Sequence, residues 1–251
     1  MEKNVFRKKG PKHIIATDLD GTLVGNRLAL AKFNHFMIKN KNKFLLIYIT
    51  GRTFSSTWQL ILEENLLFPD VMITDVGTEI YIAPRFSREQ IWERKMSSSW
   101  DTAKIQTAIK GVDGLRPQEI RPRFRLAYFT QKDTFYDTVL KLRVTAEKAK
   151  LSVNIVPSMG HIIDIIPGIA GKGLALCHIQ QLYAIKKENT FVCGDSGNDL
   201  SMFLIGFKGI VVGNARPELK EALKFKSRDV YFSRSFYASG ILEGLIKYGV
   251  V

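Results

Sequence analysis

The stretch HIIATDLDGTLVG, residues 13–25, runs a short apolar segment straight into two carboxylates, Asp18 and Asp20, and then a Gly-Thr turn. Acids two residues apart on an extended strand end share one face and repel each other, so the arrangement asks for a cation. Three further places offer groups of the same kind. Thr50-Gly51-Arg52 follows another apolar run, Lys172 opens a helical stretch, and GDSGND (194–199) delivers Asp195 and Asp199 after a third run. Three or four carboxylates meeting at one crevice, with waters completing the shell, form the oxygen-only donor set that suits Mg²⁺.

Other chemistries fail on counting. An EF-hand opening at Asp18 needs an acid at its twelfth position, where Ala29 stands, and from Asp195 the twelfth residue is Gly206. GIAGKG (168–173) lacks the first glycine of a P-loop and has Gly173 where Ser or Thr belongs. No GxGxxG follows a strand, and the histidines at 13, 35, 161 and 178 have no zinc-ligand spacing.

The elements that must position these groups can be read from apolar patterning. HIIAT, KFLLIYIT (43–50), VMITDVG (71–77), NTFVCGD and GIVVGNA read as buried strands, with helices at 28–40, SSTWQLILEENL, KGLALCHIQQLYAI, PELKEALK and ASGILEGLIKYG. Continuous apolar strands alternating with helices predict a doubly wound, mostly parallel α/β sheet. The middle of the chain reads differently. A helix at SSWDTAKIQTAIKGV, a strand at RFRLAYFT, a helix at TFYDTVLKLRVTAEKAK and strands at LSVNIVPS and HIIDIIP suggest a smaller α+β unit. The expected division is a tail over 1–12, a core over 13–83 and 168–251, and an inserted cap over 84–167. All four chemical features then fall at carboxyl ends of core strands, where open α/β sheets bind ligands.

With 251 residues, 45% of them apolar, the chain is long enough for a substantial core, and its composition is globular. A net charge of +13 fits an anionic partner: nucleic acid, an acidic membrane surface or a small phosphorylated substrate. Cys177 and Cys193 are too few for a disulfide framework and read as reduced thiols in a cytoplasmic protein. No run approaches the ~18 apolar residues of a membrane span, and the basic N-terminus leads into no signal-peptide core.

The pattern DLDGTL, with Thr50, Lys172 and GDSGND following in order, resembles the four-part signature of haloacid dehalogenase (HAD) superfamily phosphatases. The span between Thr50 and Lys172 has room for the C2B type of cap. Within that superfamily YITGRT, VGTEIY, DIIP, CGDSGND and NARPEL resemble segments of the sucrose-phosphate phosphatase group. The chain departs from that group at Gly171, where Asn is usual, and in the cap strand RFRLAYFT, which keeps a cation at Arg125 and an aromatic at Tyr128.

The resemblance implies a Mg²⁺-dependent phosphatase for a small phosphorylated carbohydrate, working through an aspartyl-phosphate. Sucrose 6-phosphate leads; another glycosyl-sugar or hexose phosphate, of mannosyl or Cof-like type, is the alternative. It implies Asp18 as nucleophile, Asp20 as acid and base, and Thr50 and Lys172 as stabilisers of the phosphoryl group. Gly51, Arg52, Asn198 and Arg125 are implied on the phosphate or substrate; around the metal the resemblance implies Asp18, Asp20 through its backbone carbonyl, and Asp195, with Asp199 orienting these ligands. A phosphotransferase on the same site is a second possibility. A basic nucleic-acid-binding protein on a degenerate fold is a third, opposed by the presence of Asp18 and by the lack of a nucleic-acid motif. A monomer is the expected state. Taken singly, the acids could be turn or cap residues, and Cys193, Trp58, Trp92 and Trp100 read as packing.

Overall fold

The computed structural model describes residues 10–225 and 229–250. Most of the expected N-terminal tail, residues 1–9, lies outside the described residues. Lys12 is already tied in, its N–H donating to the Lys43 carbonyl at 3.0 Å.

The chain first builds β1 (His13–Thr17), α1 (Arg27–Lys39), β2 (Phe44–Ile49), α2 (Phe54–Glu63), β3 (Val71–Thr74), β4 (Glu79–Ile82), β5 (Ser87–Arg88) and α3 (Gln90–Ser99). It continues through α4 (Thr102–Ile109), β6 (Arg116–Pro117), β7 (Leu126–Phe129), α5 (Phe135–Lys148), β8 (Val153–Ser158) and β9 (Ile162–Pro167). It returns with α6 (Lys172–Leu182), β10 (Thr190–Gly194), α7 (Leu200–Phe203), β11 (Lys208–Val211), α8 (Pro217–Leu223), β12 (Val230–Phe232) and α9 (Tyr237–Lys247).

The large sheet has the order β12-β11-β10-β1-β2-β3-β4-β5 and is parallel from β12 through β3. β2, β3 and β10 are buried along their whole length, and β1 after its first residue, because helices cover both faces. Side-chain caps start the first two helices: Asn26 accepts from the Ala29 N–H at 2.9 Å, and Thr53 from the Ser56 N–H at 3.3 Å. From β1 the chain winds outward through β2 and β3, then outward the other way through β10, β11 and β12. The crevice between β1 and β10 is therefore the topological switch point, where such sheets bind ligands. A second, antiparallel sheet, β6-β7-β9-β8, packs with α4 and α5 around Leu142, Ile163 and Ile165.

Several local readings change. The run 71–77 is not one strand: β3 stops at Thr74, and Asp75, Val76 and Gly77 all take left-handed φ (51°, 60° and 91°), reversing the chain into antiparallel β4. A β-branched Val in that region is strained, by about 1–3 kcal/mol. Residues 84–99, expected in the cap, pack with the large sheet instead: β5 pairs with β4, and Trp92 and Met96 of α3 join its core. The helix expected over 98–112 is split at Trp100, and Asp101 caps α4 by accepting from the Lys104 N–H at 3.0 Å. The strand expected at RFRLAYFT starts three residues late, at Leu126, because a turn at Arg123 and Phe124 precedes β7. Arg123 pairs with Glu93, while Arg125 is buried. Among the described residues no helix is long and apolar enough to cross a membrane.

Candidate active site

The carboxyl ends of β1, β2 and β10 and the first residue of α6 converge at the switch point. Asp18 follows β1, held by its N–H on the Cys193 carbonyl of β10 at 3.0 Å. Lys172, fully buried, reaches across and donates to Asp18 Oδ1 at 2.7 Å, Asp199 Oδ1 at 2.6 Å and Asn198 Oδ1 at 3.0 Å. A buried ammonium survives only with such compensation. Burial alone would pull its pKa down, but the charges of Asp18 and Asp199 outweigh that and hold it above the usual lysine range.

The acids divide into two sets. Asp18, Asp195 and Asp199 each place a carboxylate oxygen within 4.8 Å of the others. Asp199 Oδ2 accepts from the N–H groups of Asp195 and Ser196, at 3.0 and 3.1 Å, and its Oδ1 from Lys172. Both oxygens are therefore engaged, and Asp199 shapes the loop rather than facing the crevice. Asp195 Oδ1 accepts from the Thr22 hydroxyl at 3.1 Å. Burial pushes Asp18 well above the usual carboxylate range, with Lys172 opposing and Asp199 and Asp195 adding to the rise. Burial, then Asp199, pushes Asp195 up to about 6. Against three crowded buried carboxylates stands one buried ammonium, and among the described residues Asp18 Oδ2 and Asp195 Oδ2 accept no hydrogen bond. Hard oxygen donors short of positive charge, with no thiol or imidazole among them, fit Mg²⁺.

Asp20 stands apart. Expected at the metal through its backbone carbonyl, it turns its side chain to Arg52, accepting at Oδ2 from Nε (2.6 Å) and at Oδ1 from Nη2 (2.8 Å). Opposite charges at the ends of adjacent strands β1 and β2 find each other across the crevice, and Arg52, expected on phosphate, is thereby occupied. The Asp20 side chain is 53% exposed, so the pair is weak enough to open. Thr50 is buried after β2, its Oγ1 accepting the Arg52 N–H at 3.1 Å. Asn198 accepts from Lys172 and Ser196 through its oxygen, which turns its amide nitrogen toward Gly51.

A cavity of about 500 Å³ lies over this ground, lined on the core side by Asp18, Asp20, Thr50, Arg52 and Asn198 and on the cap side by Gln118, Ile120, Arg125 and Met159. Arg125 lines it but commits both terminal nitrogens elsewhere: Nη2 to Asp75 at 2.8 Å and Nη1 to Asp164 at 3.0 Å.

Supporting residues escaped the sequence reading. Gly21 has φ +80°, and a Cβ there would meet Asp195 Oδ2 at 2.6 Å, so only glycine lets the two loops approach. Asn214 donates to the Gly21 carbonyl at 2.6 Å and accepts the Tyr237 N–H at 2.8 Å, pinning that turn. The quoted DLDGTL and NARPEL segments contain Gly21, Thr22 and Asn214, but only the fold reveals that they meet. Cys193 is a buried strand thiol whose pKa burial drives up.

The family model described as sucrose-6F-phosphate phosphohydrolase matches residues 11–249. Sucrose-phosphatase 1 of Nicotiana tabacum is 32% identical over 249 residues, which cover 92% of this chain and 58% of that protein, so the chain spans little more than half of that longer relative. The mannosylfructose-phosphate phosphatase of Agrobacterium fabrum is 30% identical over 245 residues, covering 96% of this chain and 98% of its own. The solved sucrose-phosphatase of Synechocystis, in complex with sucrose and phosphate, superposes with a TM-score of 0.88 at 28% identity, covering 95% of this chain and 98% of that one. By sequence along nearly its whole length, and by fold, the chain belongs to the sucrose-6F-phosphate phosphohydrolase family within the HAD phosphatases.

Proposed function

We propose that the chain is a Mg²⁺-dependent phosphatase of small phosphorylated sugars, with sucrose 6-phosphate as the leading substrate. The observation that carries this is the buried Lys172 gripping Asp18 beneath a cavity large enough for a sugar phosphate, in a chain of this family. Asp18 and Asp195 are the side chains that would hold the metal. When bound, Mg²⁺ supplies positive charge against which a dianionic phosphate can approach a carboxylate.

The chain's own residues account for the rest. Lys172 fixes Asp18 through Oδ1 and leaves Oδ2 free to attack phosphorus, forming the aspartyl-phosphate as the sugar oxygen leaves. Asp20, released from Arg52 and protonated from solvent, gives that proton to the leaving oxygen, then takes one from the water that attacks the aspartyl-phosphate and frees phosphate and Asp18. Arg52, once released, turns its guanidinium to the phosphoryl oxygens, where the Thr50 hydroxyl, the Gly51 N–H and the Asn198 amide are also within the cavity wall. The cap roof of Gln118, Ile120 and Met159 excludes water and selects the sugar. The reduced thiols support a cytoplasmic setting, and a monomer suffices for every group named here.

The relative matched along its full length acts on mannosylfructose phosphate, which makes that compound the rival substrate. Phosphate release from sucrose 6-phosphate, mannosylfructose phosphate and simple hexose phosphates, each with Mg²⁺ and with EDTA, tests the proposal. Release that needs the metal and is at least about tenfold more efficient on a disaccharide phosphate is expected. A preference for hexose phosphates would move the substrate, and no release from any of them by folded, Mg²⁺-loaded protein would overturn the phosphatase reading.

A further inference from the structure

The left-handed turn Asp75–Gly77 touches three parts of the machinery at once. The Asp75 N–H donates to the Arg52 carbonyl at 2.8 Å and the Val76 N–H to the Thr50 carbonyl at 3.1 Å, so this turn braces the phosphate-side loop after β2. A Cβ on Gly77 would collide with the backbone of Gly171 and Lys172, so the turn also lies flat against the start of α6. The Asp75 side chain points the other way, into the cap, where it meets Arg125.

Arg125 lies just before β7 and is bracketed by Asp75 from the core and Asp164 from β9. The three side chains are only 4%, 3% and 6% exposed. Burial raises both carboxyls, Asp75 to about 6, and Arg125 pulls them back. The Arg125 Nε is buried and has no partner among the described residues, and each terminal nitrogen already spends one N–H on an acid, so the two ion pairs fix the plane of the guanidinium. Two buried acids on one guanidinium persist only while all three stay in register, and the register depends on where the cap sits.

We propose that Asp75, Arg125 and Asp164 form a cap-to-core latch, making Asp75 and Arg125 positioning residues that set the cap over the Thr50–Arg52 turn. Its kinetic consequences rest on the phosphatase reading; its effect on shape does not. Without the latch the free protein spends more time open, and the sugar phosphate must use its own binding to close the cap.

The test compares wild type, Asp75→Asn, Arg125→Met and the double variant by small-angle scattering without substrate and by kinetics on sucrose 6-phosphate. Each single variant is expected to have a larger radius of gyration and a KM raised about tenfold, with kcat within about twofold. The double variant should be no worse than either single, because the two residues act through one contact. If Arg125→Met does not fold, Asp75→Asn, which keeps the Arg125–Asp164 pair, carries the test alone. Unchanged scattering and KM in Asp75→Asn would overturn the latch, and so would a loss confined to kcat in Arg125→Met, which would place Arg125 on the substrate itself. Should the wild type release no phosphate from any compound, the scattering comparison still decides for or against the latch.

Discussion

Asp18→Asn is expected to reduce phosphate release by about four orders of magnitude or more, with little change in the fold. An amide oxygen does not attack phosphorus, so the covalent route closes outright rather than slowing. The structural consequences are small because Asn keeps the shape and an acceptor for Lys172, whose ammonium retains Asp199 and Asn198. Burial already disfavours the charge on Asp18, so removing that charge relieves one cost while Lys172 loses one counter-ion. The thermal midpoint should therefore stay within a few degrees of wild type. Turnover measured beside a melting curve checks both halves; appreciable residual turnover by well-folded variant would contradict nucleophilic catalysis by Asp18.

Lys172→Met should behave differently, losing activity and stability together. Lys172 is completely buried and is the ammonium on which Asp18 and Asp199 depend, with Asp195 close by. Removing one partner of a buried ion pair typically costs about 3–5 kcal/mol, since the remaining charges stay desolvated. The loss has a definite pH dependence. Asp18 and Asp195 already titrate above their unfolded values, Asp195 at about 6, and without Lys172 they would rise further. A carboxyl with a raised folded pKa takes up its proton in the folded state first, so the fold gains as pH falls through that window. The deficit of Lys172→Met should thus be largest near neutral pH and shrink toward mildly acidic pH. Denaturant midpoints of both proteins at several pH values, with EDTA present so that no divalent cation replaces the lost charge, measure it. A deficit independent of pH would mean that the acids do not rely on Lys172.

How much of this was legible before the fold is visible in particular residues. The continuous apolar runs of β1, β2 and β10 could only be strands covered on both sides, and the acids ending two of them, with Lys172 opening a helix, are separated by spans that close only in a doubly wound sheet. Those features follow from local patterning and order. What was not legible depends on side chains meeting across long separations. The pairing of Asp20 with Arg52 joins residues 32 apart, and that of Arg125 with Asp75 joins residues 50 apart. No local rule selects those partners over others of the same charge. The turn at Asp75 was hidden for another reason: VMITDVG has strand-like composition, and its reversal is imposed by packing against Thr50, Arg52 and the start of α6. The assignment of α3 to the core likewise turns on Trp92, which donates from Nε1 to the Gly77 carbonyl at 3.2 Å and lies over His178, a contact across 86 residues.

Covalent phosphoryl transfer to Asp18 leaves an adduct that can be trapped. Protein mixed with sucrose 6-phosphate and Mg²⁺, quenched within one turnover and reduced with borohydride, should show Asp18 converted to homoserine by peptide mass spectrometry, and no such conversion in Asp18→Asn. Phosphate release without any modified Asp18, or with modification at another acid, would rule out Asp18 as the nucleophile.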